Sequence, residues 1–135
     1  MADKNKKKRI LLVDDDKTHL AIAENMLKAE YEINTAGSGQ EALEKIYSGL
    51  LPNAILLDIL MPDMDGWETY NRLKAITLLN DIPVAFFSSV DENSQIALAE
   101  KIGAADFITK PFNKADLLNR VKKMLEQRGR AVKKS

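Results

Sequence analysis

Residues Ala54, Ile55, Leu56 and Leu57 form an unbroken apolar run that stops abruptly at a carboxylate, Asp58. Four consecutive apolar side chains cannot share one stripe of an amphipathic helix, but they suit a strand covered on both faces. Asp58 then stands at the carboxyl end of a buried strand. Pro62 disfavours helix for Met61, and the Asp63 to Gly66 cluster is turn chemistry leading into a helical segment. The same signature recurs along the chain. Ile10 to Val13 end in Asp14-Asp15-Asp16, and Val84 to Phe87, opened by Pro83, end at Ser88-Ser89. Tyr31 to Ala36 is a weaker strand, and Ala104 to Thr109 is a fifth that delivers Lys110-Pro111.

Helical patterns fill the intervals. Asp16 can cap a helix whose apolar stripe reads His19, Ile22, Ala23, Met26, Leu27. The turn Gly37-Ser38-Gly39 precedes a second helix with Ala42, Leu43, Ile46 and Tyr47 inward, closed by Ser48-Gly49. Trp67, Tyr70 and Leu73 mark a third that fades towards Asn80-Asp81. Residues 93–102 place Ile96, Ala99 and Ile102 inward, and Gly103 ends the segment. Asn113 caps a last helix striped by Leu117, Leu118, Val121, Met124 and Leu125, and the pattern dissolves at Gln127. Strand and helix alternating with short connections predict a parallel sheet covered by helices on both faces. In such folds the site lies at the carboxyl ends of the strands. Here those ends carry Asp14, Asp15, Asp58, Ser88 and Lys110.

A chain of 135 residues is one domain by length. It has no cysteine, which excludes disulfides and thiol nucleophiles and fits a reducing, cytoplasmic compartment. No apolar run approaches the ~20 residues of a membrane span, and the basic start is not a signal peptide. The formal net charge of zero hides an asymmetry: five of the 20 basic residues lie in 1–9 and four more in 128–134. Residues 10–127 keep 11 basic against 19 acidic residues, a balance of −8. That acidic body argues against direct nucleic-acid binding and suits a divalent cation. The reading is a basic tail at 1–7, one domain at 8–127, and a basic tail or linker stub at 128–135.

Carboxylates gathered at one edge repel, by up to about 4 kcal/mol for a pair about 4 Å apart at an effective dielectric of about 20. A hard, oxygen-liganded ion such as Mg²⁺ relieves this, and it suits carboxylates with no histidine or cysteine nearby. Lys110 can hold a phosphoryl oxygen, and the Ser88 hydroxyl can donate to another while a carboxylate attacks in line. The chemistry points to an aspartyl phosphate.

LLVDDD, DILMPDMDG, PVAFFSS and GAADFITKPF, in this order and spacing, resemble the response-regulator receiver domains of two-component and phosphorelay signalling, over residues 8 to about 126. The resemblance implies a flavodoxin-like doubly wound sheet of five parallel strands in the order 2-1-3-4-5 with five helices. It makes Asp58 the phosphoacceptor. Asp15, Asp58 and the Leu60 carbonyl would hold Mg²⁺, or Mn²⁺, with Asp14 acting through water. Ser88 would be the switch hydroxyl, Phe107 the switch aromatic and Lys110 the catalytic lysine, joined to Pro111 by a cis peptide. The donor would be a phosphohistidine on a sensor histidine kinase or histidine phosphotransfer protein. The receiver would catalyse only its own phosphorylation and dephosphorylation, and the surface of helix 4, strand 5 and helix 5 would control a partner or output domain.

Some positions depart from the commonest pattern. Phe107 replaces a frequent Tyr, Ser89 a small residue, and Leu20 a common basic residue. Leu60 and Val90, each two residues past the acceptor or the switch hydroxyl, are apolar and are expected to obstruct hydrolytic water. His19 reads as packing or a local hydrogen bond, Asp16 as a cap, and Trp67 as packing that reports on the site. Asp106 and Arg120 stand where one transcription-factor subfamily joins receiver dimers. Two other classes remain open: a degenerate receiver used only as an interaction module, and a Mg²⁺-dependent phosphohydrolase. The chain fits either a stand-alone regulator or a receiver cut from a longer protein.

Overall fold

The computed structural model describes residues 6–89 and 93–134, with side chains described through Gln127. Five parallel strands lie in the order β2-β1-β3-β4-β5, as expected: β1 Arg9–Val13, β2 Glu32–Ala36, β3 Ala54–Leu57, β4 Val84–Ser88 and β5 Phe107–Thr109. The helices are α1 Lys17–Leu27, α2 Gly39–Tyr47, α3 Gly66–Lys74, α4 Asn93–Lys101 and α5 Lys114–Lys134, with a 3₁₀ turn at Thr77–Leu79 between α3 and β4.

The apolar runs explain the layering. Successive strand residues point to opposite faces. Leu11, Val13, Ile55, Leu57 and Phe86 therefore enter one core, shared with residues of α2, α3 and α4. Ile10, Leu12, Leu56, Ala85 and Phe87 enter the other, beneath α1 and α5. β3 is fully buried from end to end. Each large side chain so placed stabilises the fold by roughly 1.5–3 kcal/mol.

Several boundaries differ from the sequence reading. β5 begins at Phe107 rather than Ala104. The chain meets β4 before that point, Ala105 N–H donating to Val84 O at 2.8 Å and Phe86 N–H to Asp106 O at 3.0 Å, while the Asp106 carboxylate accepts the Phe107 backbone N–H at 2.8 Å. On α1 the buried residues are Leu20, Ala23 and Leu27, whereas Ile22 is 44% exposed. The buried face is thus rotated from the expected stripe, and Leu20 fills the core. Tyr47, at the end of α2, is 72% exposed instead of packed. The helical backbone of α5 runs on to Lys134, past Gln127 where the apolar pattern dissolves. The stretch 128–134 lacks an apolar stripe, and beside Gly129 and Val132 it holds Arg, Ala and Lys, which favour helix.

Asp16 caps α1 as expected, its Oδ1 accepting from the N–H groups of Thr18 at 2.9 Å and His19 at 3.2 Å. Ser38 caps α2 in the same manner, accepting from Glu41 N–H. Gly39 is more than a turn residue: a Cβ there would lie 2.1 Å from Thr69 Oγ1, so its bareness lets α3 approach α2. Among the described residues, no helix is long and apolar enough to cross a membrane.

Candidate functional site

The parallel register builds the site. Val13 is paired with Ala36 on one side and Leu57 on the other, so the next residues, Asp14 and Asp58, emerge together at the carboxyl edge. Backbone bonds hold them there: Asp58 N–H donates to Val13 O at 2.9 Å, and Asp14 N–H to Ala36 O at 3.1 Å. Asp14 is fully buried, Asp58 is 6% exposed and Asp15 lies in the open. One carboxylate oxygen from each of the three falls within 4.8 Å of the others.

Lys110 closes the group from β5. Its backbone N–H donates to Ser88 O at 2.8 Å, and the Lys110-Pro111 peptide is cis, as expected. The ammonium Nζ stands 2.6 Å from Asp14 Oδ2, 3.7 Å from Asp58 Oδ2 and 2.9 Å from His19 Nδ1. It also sits 4.9 Å from the centre of the Phe87 ring, which in turn packs on Phe112. Burial raises the Asp58 carboxyl to about 6; Lys110 opposes that rise, and the neighbouring Asp14 adds to it. Ser88 is fully buried at the end of β4. The strand-end residues read from the sequence are therefore gathered as expected.

The loop after Asp58 is pinned from both sides. Ile59 and Met61 are buried, which turns Leu60 outward at 59% exposure. Gly66 N–H donates to Ile59 O at 2.8 Å, and a Cβ on Gly66 would lie 2.2 Å from the Asp58 carbonyl oxygen. Only glycine permits that approach. Asp65 then caps α3 by accepting from Glu68 N–H at 3.0 Å.

An aromatic row links this edge to β5. Trp67 packs on Phe86 at 4.6 Å between ring centres, and Phe86 meets Tyr70 at 5.5 Å and Phe107 at 6.4 Å. Trp67 is thus a packing residue, as expected. Asp106 and Arg120 pair with each other inside this chain, with two contacts of 2.9 Å, and Arg120 also reaches Asp116. Val90 lies outside the described residues.

The sequence reading missed the contact of His19 with Lys110. His19 was assigned to an apolar stripe, but its side chain is 43% exposed and lines a cavity of 340 Å³ beside Lys110 and Pro111. A usable signal was its place in the first turn of α1, where side chains lean back towards the helix start and so towards the strand ends.

Three carboxylates are a hard, all-oxygen donor set of the kind that holds Mg²⁺, and the elevated Asp58 carboxyl marks a place that favours added positive charge. The residues present fit such an ion.

The fold and its edge define a doubly wound α/β domain that gathers three acids and one ammonium at the ends of its strands. A family model described as the response regulator receiver domain matches residues 10–122. The transcriptional regulatory protein PrrA of Mycobacterium leprae is 39% identical over 122 residues, which cover 90% of this chain and 51% of that protein. Among solved structures, a CheY-like response regulator receiver domain protein from Methanospirillum hungatei superposes with a TM-score of 0.81 at 32% identity, covering 93% of this chain and 99% of the other. The chemotaxis protein CheY4 of Vibrio cholerae gives 0.82 at 26% identity, covering 87% and 98%. This chain belongs to the response regulator receiver domain family. It spans about half the length of PrrA.

Proposed function

We propose that this receiver is a signalling switch that accepts a phosphoryl group on Asp58 from a phosphohistidine of a sensor histidine kinase or histidine phosphotransfer protein in the cytoplasm. The observation that carries the reading is the nearly buried Asp58 carboxylate, which shares one 4.8 Å neighbourhood with Asp14 and Asp15 and faces Lys110 Nζ at 3.7 Å. Unused, such a gathering of acids would only cost stability.

An Asp58 oxygen attacks phosphorus while the donor's P–N bond breaks and its electron pair leaves with the imidazole, which ends protonated from solvent. Lys110 brings a compact positive charge to one oxygen of the arriving group. The Ser88 hydroxyl donates to another. Asp15, Asp58 and the Leu60 carbonyl, with Asp14 through water, would hold Mg²⁺ or Mn²⁺, which when bound neutralises phosphoryl charge. The chain performs only its own phosphorylation and the hydrolysis that reverses it.

The new charge biases a two-state element. Ser88 is drawn towards the phosphoryl group, and Phe107, half-buried behind Phe86, turns into the space released. The surface of α4, β5 and α5 then changes its affinity for a downstream protein or output domain. Trp67 fluorescence tests the reading. Addition of Mg²⁺ and then acetyl phosphate should give a saturable change and a shifted band on a phosphate-affinity gel, both absent in Asp58→Ala. Mg²⁺ binding without phosphorylation would overturn it in favour of an interaction module.

A further inference from the structure

We infer that His19 is a positioning residue for Lys110: its ring nitrogen holds the ammonium in the orientation that receives the phosphoryl group. The inference rests on the phosphoacceptor reading of Asp58.

The chemistry of the contact assigns the ring. A lysine ammonium carries three donors and no acceptor, so Lys110 Nζ at 2.9 Å requires Nδ1 of His19 to be the bare, accepting nitrogen. The ring proton then sits on Nε2, which stands 3.6 Å from Asp16 Oδ2. Asp16 cannot swing away freely, because Thr18 and His19 N–H groups both donate to its Oδ1. A carboxylate beside Nε2–H favours that tautomer and makes Nδ1 a better acceptor. Asp16 thus stands beside Nε2 without a direct hydrogen bond, and Nδ1 accepts from the lysine.

Two of the three Lys110 N–H bonds are accounted for, one to Asp14 Oδ2 at 2.6 Å and one to His19. Asp58 Oδ2 lies 3.7 Å from the same ammonium, so these two anchors set the direction in which the stem presents its charge to Asp58. A lysine on a four-carbon stem loses this direction when one of its two anchors is removed. Fewer molecules then present the ammonium correctly when the donor arrives.

The chain has a single histidine, so ring ¹⁵N NMR reads His19 without assignment. The neutral ring is expected to be protonated at Nε2 and bare at Nδ1, with the Nδ1 signal displaced by Lys110→Met. In Mg²⁺ and acetyl phosphate, His19→Leu should lower the limiting phosphorylation rate about 5- to 10-fold, the equivalent of one hydrogen bond of ordinary net strength. The half-saturating donor concentration should stay unchanged. His19→Asn, whose side-chain oxygen can replace Nδ1, should recover the rate to within about twofold, which a merely structural role would not produce. A ring protonated at Nδ1, an unchanged or faster His19→Leu, or equal losses in Leu and Asn variants would each overturn the inference. A wild-type chain that takes up no phosphoryl group would instead overturn the phosphoacceptor reading, and the rate role of His19 with it, with the tautomer measured separately.

Discussion

Asp58 shows how one residue's surroundings set its behaviour. Its carboxyl is raised to about 6 by burial and by Asp14, so ionising it costs the folded chain more than the unfolded one. That cost is absent below the unfolded value of 3.8, grows as pH rises and is complete above about 6. Without metal, Asp58→Asn should therefore gain stability over wild type at neutral pH and lose that advantage near pH 4, as denaturant melts across pH would record. An advantage that does not vary with pH would contradict this. Leu60, turned outward two residues past Asp58, predicts a second outcome under the proposed function. Leu60→Asn, which can orient a water, should speed decay of the phosphorylated form about 3- to 10-fold, measured by loss of the gel-shifted band. The acids and Lys110 were legible in the sequence because each interrupts or follows an apolar run. His19 was not, because a periodicity argument assigns a helix face but not the direction in which a first-turn side chain leans.

Elements with an apolar stripe announced themselves, and those held by polar contacts did not. The 3₁₀ turn at Thr77–Leu79 is an example. The Lys74 ammonium donates to the carbonyls of Leu79 at 3.2 Å, Asn80 at 2.9 Å and Ile82 at 2.9 Å, tying the end of α3 to the approach to β4. In the sequence Lys74 reads as one more surface lysine. Lys74→Met should cost about 1–2 kcal/mol and raise amide exchange across residues 77–82 while leaving α1 and β1 protected. Uniform loss of protection would show that the clamp is not local. The end of α5 escaped for a related reason, since a mostly polar stretch carries no period to detect.

At the level of the whole molecule, the alternation of apolar runs with helical stripes was enough to predict the parallel sheet, and the strand order followed from the family resemblance. Three acids gathered at one edge should respond to a divalent cation as a unit. Saturating Mg²⁺ at about 100 times its dissociation constant should stabilise the native state by about 2.7 kcal/mol, read as a rise in melting temperature. Asp15→Ala should abolish most of the rise while the fold survives, because Asp15 lies exposed and outside the core. The pairing of Val13 with Leu57 carries a further consequence. The interval between Asp14 and Asp58 is inherited from the spacing of two neighbouring strands, about 4.8 Å, and not from any loop. Insertions or deletions in the connecting loops leave that interval untouched. A single residue gained or lost inside β1 or β3 would put one carboxylate out of phase, on the opposite face of the sheet. The lineage of such a chain is free to edit its connections, yet bound to count its strands in step.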